Sequence, residues 1–325
     1  MTRYLLRRLL YAIPILLGVN LITFSLFFVV NTPDDMAYKH LGDKRVTVEM
    51  VDKWKKDHGY DRPLIYAADR GGFARFSDTL FAQHSLKLFL LDFGRADDGR
   101  SIGTDIRQRM GPSLAIAIPN LLVGLLVYIT VSLTLTFFRG TYIDFNGVLI
   151  AVAMMSISAM FYIIAGQFLL GKLLHLAPIS GYQHGIAGFR FLITPVLVGL
   201  IAGLGGSVRW YRTLFLEEIE KDYIRSARAR GLGEAAVLWR HLLRNALIPI
   251  LTGVVVVIPT LFMGSLITES FFSIPGLGSY TIDAIRAQDF AIVRAMVFLG
   301  SLLYIAGLML TDLSYVMVDP RVRLE

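Results

Sequence analysis

Charged residues in this chain are bunched, and the gaps between the bunches are long and apolar. Six stretches contain no Asp, Glu, Lys or Arg: Leu9–Pro33, Met110–Phe138, Phe145–Gly171, Phe191–Val208, Asn245–Thr268 and Ala295–Thr311. Their lengths are 25, 29, 27, 18, 24 and 17 residues. A helix rises ~1.5 Å per residue, so about 17 to 25 residues cross the ~30 Å hydrocarbon layer of a bilayer. Lipid offers no hydrogen-bond partners, so each stretch is predicted to satisfy its own backbone as a helix. The pattern predicts an all-α integral membrane protein of about six transmembrane helices. The competing picture, a soluble protein with buried core helices, would need six uncharged runs of this length in one fold.

Composition agrees. Of 325 residues, 55% are hydrophobic, and the mean hydropathy is +0.59. That is far on the apolar side of globular usage. There is no cysteine, so no disulfide framework forms and redox compartment cannot be inferred. The formal charge of +7 suits basic cytoplasmic loops better than nucleic acid. The first stretch follows Arg3, Arg7 and Arg8, as in a signal peptide, but a cleavable apolar core is only about 7 to 15 residues. A retained first helix is expected.

Charge asymmetry sets the orientation. With both termini on one side, Arg3, Arg7, Arg8, Arg139, eight basic residues from Arg209 to Arg244, Arg321 and Arg323 share that side. The two short opposite loops hold only Lys172, Arg190, Arg286 and Arg294. Basic residues are retained in the cytoplasm, so both termini are predicted to be cytoplasmic. The chain then divides into an N-terminal end and first helix (1–33), an extracytoplasmic segment (34–109), a five-helix core (110–318) and a cytoplasmic C-terminus (319–325). Within 34–109, Val48–Trp54 has the spacing of a short amphipathic helix, while Gly71-Gly72 and Gly94 mark turns. The segment is expected to be a small cap packed on the membrane part.

The most informative stretch is the cytoplasmic loop 209–244. Leu216, Ile219, Tyr223 and Ala227 recur at helical spacing. Gly231 and Gly233 then break the pattern, and Ala235, Leu238 and Leu242 begin a second apolar face. A helix, glycine turn, helix beside the bilayer is predicted. It could be a basic loop lying on lipid headgroups, a helix-turn-helix DNA reader badly placed between two spans, or a knob for a partner's groove, with Ala227 and Ala229 allowing close approach. Geometry alone does not separate the first from the third.

The run Asp222-Tyr223-Ile224-Arg225-Ser226-Ala227-Arg228-Ala229-Arg230-Gly231, followed by His241-Leu242-Leu243-Arg244-Asn245-Ala246-Leu247-Ile248-Pro249, resembles the loop of inner-membrane permeases of binding-protein-dependent ABC importers. It is most similar to the dipeptide and oligopeptide branch, which also includes nickel permeases. Arg225 and Ser226 stand where the general motif has Glu and Ala. Arg7-Arg8-Leu9-Leu10 with Ile13-Pro14 and Gly18-Val19, Tyr60-Asp61-Arg62-Pro63-Leu64, Glu269 to Gly278, and Asp319-Pro320-Arg321-Val322-Arg323 resemble further motifs of that branch.

The resemblance implies a type I importer permease fold in a bacterial inner membrane, with a small extracytoplasmic insertion after the first helix. Its partners would be a second, homologous permease, two ATP-binding subunits and an extracytoplasmic binding protein, with no nucleic acid. ATP and magnesium would be held by those subunits, and this chain would bind no cofactor and catalyse nothing. Asp222, Tyr223, Ala227, Arg228, Gly231, His241, Arg244 and Asn245 would form the ATPase-coupling loop. Ala227 and Gly231 would shape its turn, and Asp222, Arg228 and Arg244 would make polar contacts to the ATPase. Cargo would be di- or oligopeptides, with nickel, a sugar or a peptide antibiotic as alternatives.

Other chemistry is thin. Gly166-Gln167-Phe168-Leu169-Leu170-Gly171-Lys172-Leu173 nearly matches a phosphate loop, but Leu173 replaces the magnesium-binding hydroxyl. No metal set is expected, since His175 and His184 merely share an outside loop. Gly199, Gly203 and Ser207 form a small-residue stripe suited to close packing within the fold. Glu269 and Arg294, at the outer ends of the fifth and sixth spans, form a candidate pair, structural or gating, and Asp312 closes the sixth. Pro14, Pro119, Pro195, Pro249 and Pro259 suggest bent helices around a cavity. An ion-coupled carrier is the rival reading, but it would show inverted repeats and midplane charges.

Overall fold

The structure is a computed structural model, and it describes residues 2–42, 46–68, 71–72 and 74–318. The motif Asp319 to Arg323, the basic residues Arg321 and Arg323, and the segment 319–325 lie outside the described residues. Among the described residues every named element is helical, with one isolated antiparallel bridge between Arg95 and Ser101. In chain order the α-helices are α1 (Thr2–Ser25), α2 (Pro33–Leu41), α3 (Val48–Asp57), α4 (Ala74–Ser77), α5 (Leu80–His84) and α6 (Ile102–Phe137). They continue as α7 (Tyr142–Met155), α8 (Ala159–Gly166), α9 (Phe189–Ile219), α10 (Asp222–Ala229) and α11 (Glu234–Ala236). The last four are α12 (Leu243–Leu261), α13 (Leu266–Phe271), α14 (Leu277–Ala287) and α15 (Phe290–Val318).

Among the described residues five helices are long and apolar enough to cross a membrane: Arg7–Val30, Ile102–Phe137, Phe189–Ile219, Glu234–Leu261 and Phe290–Ser314. The pair Tyr142–Met155 and Ala159–Leu173 is apolar enough only when taken together and is bent by 92°, which makes it a broken span or a re-entrant loop. The third charge-free stretch is therefore not one straight helix. Counting charges cannot detect this break because its residues are serines. Ser158 caps α8 by accepting from the Met160 amide, and the Tyr162 hydroxyl reaches back across the break to the Met154 carbonyl at 2.8 Å. Two other boundaries move. Helix α12 ends at Leu261, seven residues before the stretch does, in a turn through Gly264 at φ +69°. Helix α15 instead carries Arg294 and Asp312 within its own length. Large apolar side chains such as Ile22, Val30, Leu126 and Ile150 are exposed along the spans, as lipid contact requires.

The chain divides into two compact units. The first gathers Met1–Gln108 and Thr281–Met309; the second gathers Arg109–Tyr280 and the described residues from Leu310 onward. In the first, short helices are started by hydroxyl caps. Thr32 and Asp35 form a capping box ahead of α2, with Pro33 in the first helical turn, and Thr47 and Thr79 cap α3 and α5. These helices have little apolar surface of their own. They pack instead on Phe24 and Phe28 of α1, with Met36, Tyr60 and Leu80 completing the buried cluster. In the second unit the core below the bundle is built from Phe215, Ile219, Ile224, Ala227, Val237, Leu238, Leu242 and Ala246.

Candidate functional site

The coupling-loop residues lie within 216–245, where the predicted helix, turn, helix is present with altered boundaries. The first helix breaks: α9 stops at Ile219 and α10 begins at Asp222. Gly231 follows α10 at φ +78°, a left-handed backbone that a side chain would strain. The second helix starts at Gly233 and runs through a π turn, Val237–Leu242. That wider turn sets Val237 above Leu242, so the buried face is Val237, Leu238 and Leu242 while Ala235 is exposed. Leu238 and Leu242 lie on the face that the spacing predicts, and Val237 takes the place expected for Ala235 for this reason.

This loop is part of the core rather than a strand of chain in water. Ile219, Ile224, Val237, Leu238 and Leu242 are each 2% exposed or less. Each such burial is worth about 1.5–3 kcal/mol, comparable with the ordering cost of about 1–2 kcal/mol per residue. Ala227, fully buried, also faces inward, so it shapes the turn from inside and cannot itself touch another protein. Ala229 is exposed.

Polar groups lock the turn. Arg228 Nε donates to Glu234 Oε2 at 3.0 Å, closing a clasp across Gly231. The Tyr223 hydroxyl donates to Glu218 Oε2 at 2.6 Å. Burial first, and this bond second, push the Tyr223 phenol well above its ordinary range. Tyr223 also meets the Asn245 side chain, whose amide donates to the His241 carbonyl at 2.9 Å. Asp222 stands exposed and pairs with the exposed Arg225 at 3.3 Å. Arg244 is exposed on α12, and Leu232 and Trp239 are exposed at 40% and 52%. The outward surface thus combines Asp222, Arg230, Leu232, Trp239 and Arg244.

Glu218, Glu234 and the pair Asp144–Arg212 went unrecognised in the sequence. Arg212 of α9 donates to both carboxylate oxygens of Asp144 on α7, at 2.8 and 2.7 Å. The only sequence signal was opposite charge: Glu234 lies six residues beyond Arg228, on the far side of the glycine.

Above this core, still within the second unit, lies a cavity of about 410 Å³. Asn120 and Tyr128 of α6 pack directly on Gly199 and Gly203 of α9 in its wall, which Ser207 of α9, Thr260 of α12 and Glu269 of α13 also line. The small-residue stripe makes room here: a methyl at Gly199 would press on the Asn120 amide and one at Gly203 on the Tyr128 hydroxyl. That hydroxyl donates to the Leu200 carbonyl at 3.0 Å. The proline-bearing helices α6, α9 and α12 all contribute to the wall.

Glu269 and Arg294 belong to different units and are each served by neighbours in their own unit. Glu269 is 1% exposed and accepts from the backbone amides of Ser265 at 3.2 Å and Ser279 at 3.1 Å. Gly278 and Ser113 add further donors. Burial pushes its carboxyl above the ordinary range, and these donors pull it back. Added methyls at Gly264 or Gly276 would overlap the carboxylate, so both glycines are required by close approach. Arg294 Nε donates to the Phe290 carbonyl at 3.3 Å, and its guanidinium lies 4.7 Å from the centre of the Phe28 ring. The near-match to a phosphate loop is the helical end of the bent span, Gln167–Leu173, and lacks the strand and loop such a site needs.

Comparison with known proteins bears on both parts of the chain. Residues 108–324 match the family described as binding-protein-dependent transport system inner membrane component. Residues 1–87 match the N-terminal family of the same membrane components. An oligopeptide transport system permease protein of Mycobacterium bovis is 29% identical over 343 residues, covering all of both chains. A protein of Brucella abortus named as a peptide transport system permease is 29% identical over 331 residues, again covering both completely. Another of Brucella suis, named as a peptide permease, is 28% identical over 333 residues and 99% of each chain. With a helical bundle, a cavity between its helices and a rigid two-helix loop beneath it, the chain belongs to the family of inner membrane components of binding-protein-dependent transport systems, the membrane permeases of ABC importers.

Proposed function

We propose that this chain forms one half of the membrane channel of an importer for di- or oligopeptides, powered through the loop 216–245. A second, homologous permease supplies the other half. Two ATP-binding subunits hold ATP and magnesium and carry out hydrolysis, and an extracytoplasmic binding protein delivers the cargo. Both termini and the loop face the cytoplasm, in keeping with the basic residues gathered there.

The observation that carries this reading is continuity of packing. The loop's buried face, the lower half of α9 and the start of α12 share one core. Helices α9 and α12 also line the cavity through Gly203, Ser207, Tyr211, Val257 and Thr260. A close-packed core transmits displacement rather than absorbing it. A push on Leu232 or Trp239 by a closing ATPase dimer therefore moves the cavity wall. The Arg228–Glu234 clasp and the Gly231 turn keep the loop from yielding first. Peptide cargo is supported by the names of the relatives matched over their full length.

The test is reconstitution with the partner subunits, measuring ATP hydrolysis stimulated by loaded binding protein across peptides, nickel and sugars. Peptide-loaded protein is expected to stimulate; stimulation by nickel or sugar alone overturns the cargo assignment. Gly231→Trp is expected to leave ATP hydrolysis running while uptake falls at least tenfold, and unchanged uptake removes the loop from the mechanism.

A further inference from the structure

In the first unit, a second cavity of about 360 Å³ opens between the segment 57–99 and the start of α15. That volume falls within the range of small-molecule sites, about 300–1,000 Å³. Arg294 lines it and is 5% exposed. Its buried Nη1 has no hydrogen-bond partner among the described residues.

A guanidinium so placed needs an anion, because a buried charge left unpaired is costly. Two carboxylates, Asp97 and Asp289, are close enough to favour its charge through space, but each makes its hydrogen bonds with other groups. Asp97 Oδ2 meets the His40 ring at 2.6 Å. Asp289 accepts from the backbone amides of Asp97 at 2.9 Å and Ile292 at 3.1 Å. His84, also in the wall, is held neutral: burial, and then the nearby Arg294, lower its pKa to about 3. Arg294 is thus the buried cation of the wall, and the exposed charges that also line the cavity are of both signs, Lys87 and Arg95 with the acidic rim residues Asp57 and Asp92.

We propose that this cavity is a carboxylate site, in which Arg294 receives the C-terminal carboxylate of a short peptide. The acidic rim residues suit the ammonium end of such a zwitterion. The proposal rests on the peptide reading of the cargo and places an additional peptide-binding point on the extracytoplasmic side, apart from the cavity of the second unit. Arginine is the residue suited to this task, since its planar fork matches a carboxylate with two parallel hydrogen bonds.

Trp54 provides a readout, being stacked at 4.1 Å on His58, which lines the cavity. The full chain carrying Trp210→Phe and Trp239→Phe would be placed in lipid nanodiscs and titrated with dialanine, dialanine amide and acetate. Dialanine is expected to change Trp54 emission saturably, and the amide and acetate to bind at least tenfold more weakly. Arg294→Gln is expected to abolish the response, Arg294→Lys to restore part of it, and the exposed Asp57→Lys to weaken it several-fold with folding intact. Equal binding of dialanine and its amide, acetate binding as tightly as dialanine, or an unaltered response in Arg294→Gln would each overturn the proposal. Uptake by the complete importer separates the two readings. Peptide uptake without dialanine binding here overturns this site alone, whereas absence of peptide uptake in the unaltered importer overturns the cargo.

Discussion

Arg212 and Arg294 sit one in each unit and are treated in opposite ways. Arg212 finds both oxygens of Asp144 within 2.8 Å, and the pair ties α7 to α9 above the coupling loop. Arg294 is more deeply buried, yet its Nη1 meets no partner among the described residues. The contrast separates structural charge from receptive charge. In the second unit the chain supplies its own counter-ion, so the arginine ties α7 to α9. In the first unit Asp97 and Asp289 act on the guanidinium only through space, and its Nη1 is left without a hydrogen-bond partner beside a cavity.

The comparison can be broken or sharpened by removing partners. Asp144→Ala would leave Arg212, like Arg294, with no carboxylate bonded to it and should cost about 3 kcal/mol or more, as for other broken buried pairs. Thermal stability in nanodiscs measures this, and the double variant Asp144→Leu with Arg212→Met should recover most of it. No loss in the single variant would erase the distinction between the two arginines. Glu269→Gln should cost about 2 kcal/mol, because an amide cannot accept from all the backbone donors gathered around the carboxylate; the same stability assay reads it.

His84 gives the pH dependence of the first unit. Its folded pKa is about 3, against an ordinary 6.5, so between these values the unfolded chain takes up a proton that the folded one refuses. Stability is therefore full above about pH 6.5 and falls as pH drops toward 3. The slope is at most about 1.4 kcal/mol per pH unit, and His84→Gln should flatten it. The smallest stability effect belongs to Arg228→Ala. Its partly exposed pair with Glu234 is worth about 0.5–1 kcal/mol. The consequence for coupling is expected to be larger than that figure, with uptake per ATP falling as the turn loosens. Parallel measurement of hydrolysis and uptake checks it.

Much of this was legible in the charge pattern, because lipid penalises charge so strongly that spans announce themselves as gaps. What escaped had local causes. Uncharged serines at 156 and 158 hid the bend in the third span. A π turn moved the inward face of the second loop helix from Ala235 to Val237. Glu220 and Lys221 interrupt a stripe that periodicity ran straight from Leu216 to Ala227. Of the candidate coupling residues, Gly231 and the exposed Asp222 and Arg244 stand where an interface could use them, Ala227 turns inward to shape the turn, and the partly exposed Arg228 fastens it through Glu234. The cavity at Arg294 could not be read from sequence, since most of its wall comes from the distant segment 57–99.

The central claim is that the loop meets an ATP-hydrolysing partner on the cytoplasmic side. The chain has no cysteine of its own, so Leu232→Cys introduces a single reactive thiol beside the Gly231 turn, at a position 40% exposed. In inverted membrane vesicles containing the assembled importer, that thiol is expected to crosslink to the ATP-binding subunit, in a yield that changes with ATP. Labelling of the same thiol from outside intact cells by an impermeant maleimide, or full peptide uptake with no ATP-binding subunit within reach of it, would contradict the account.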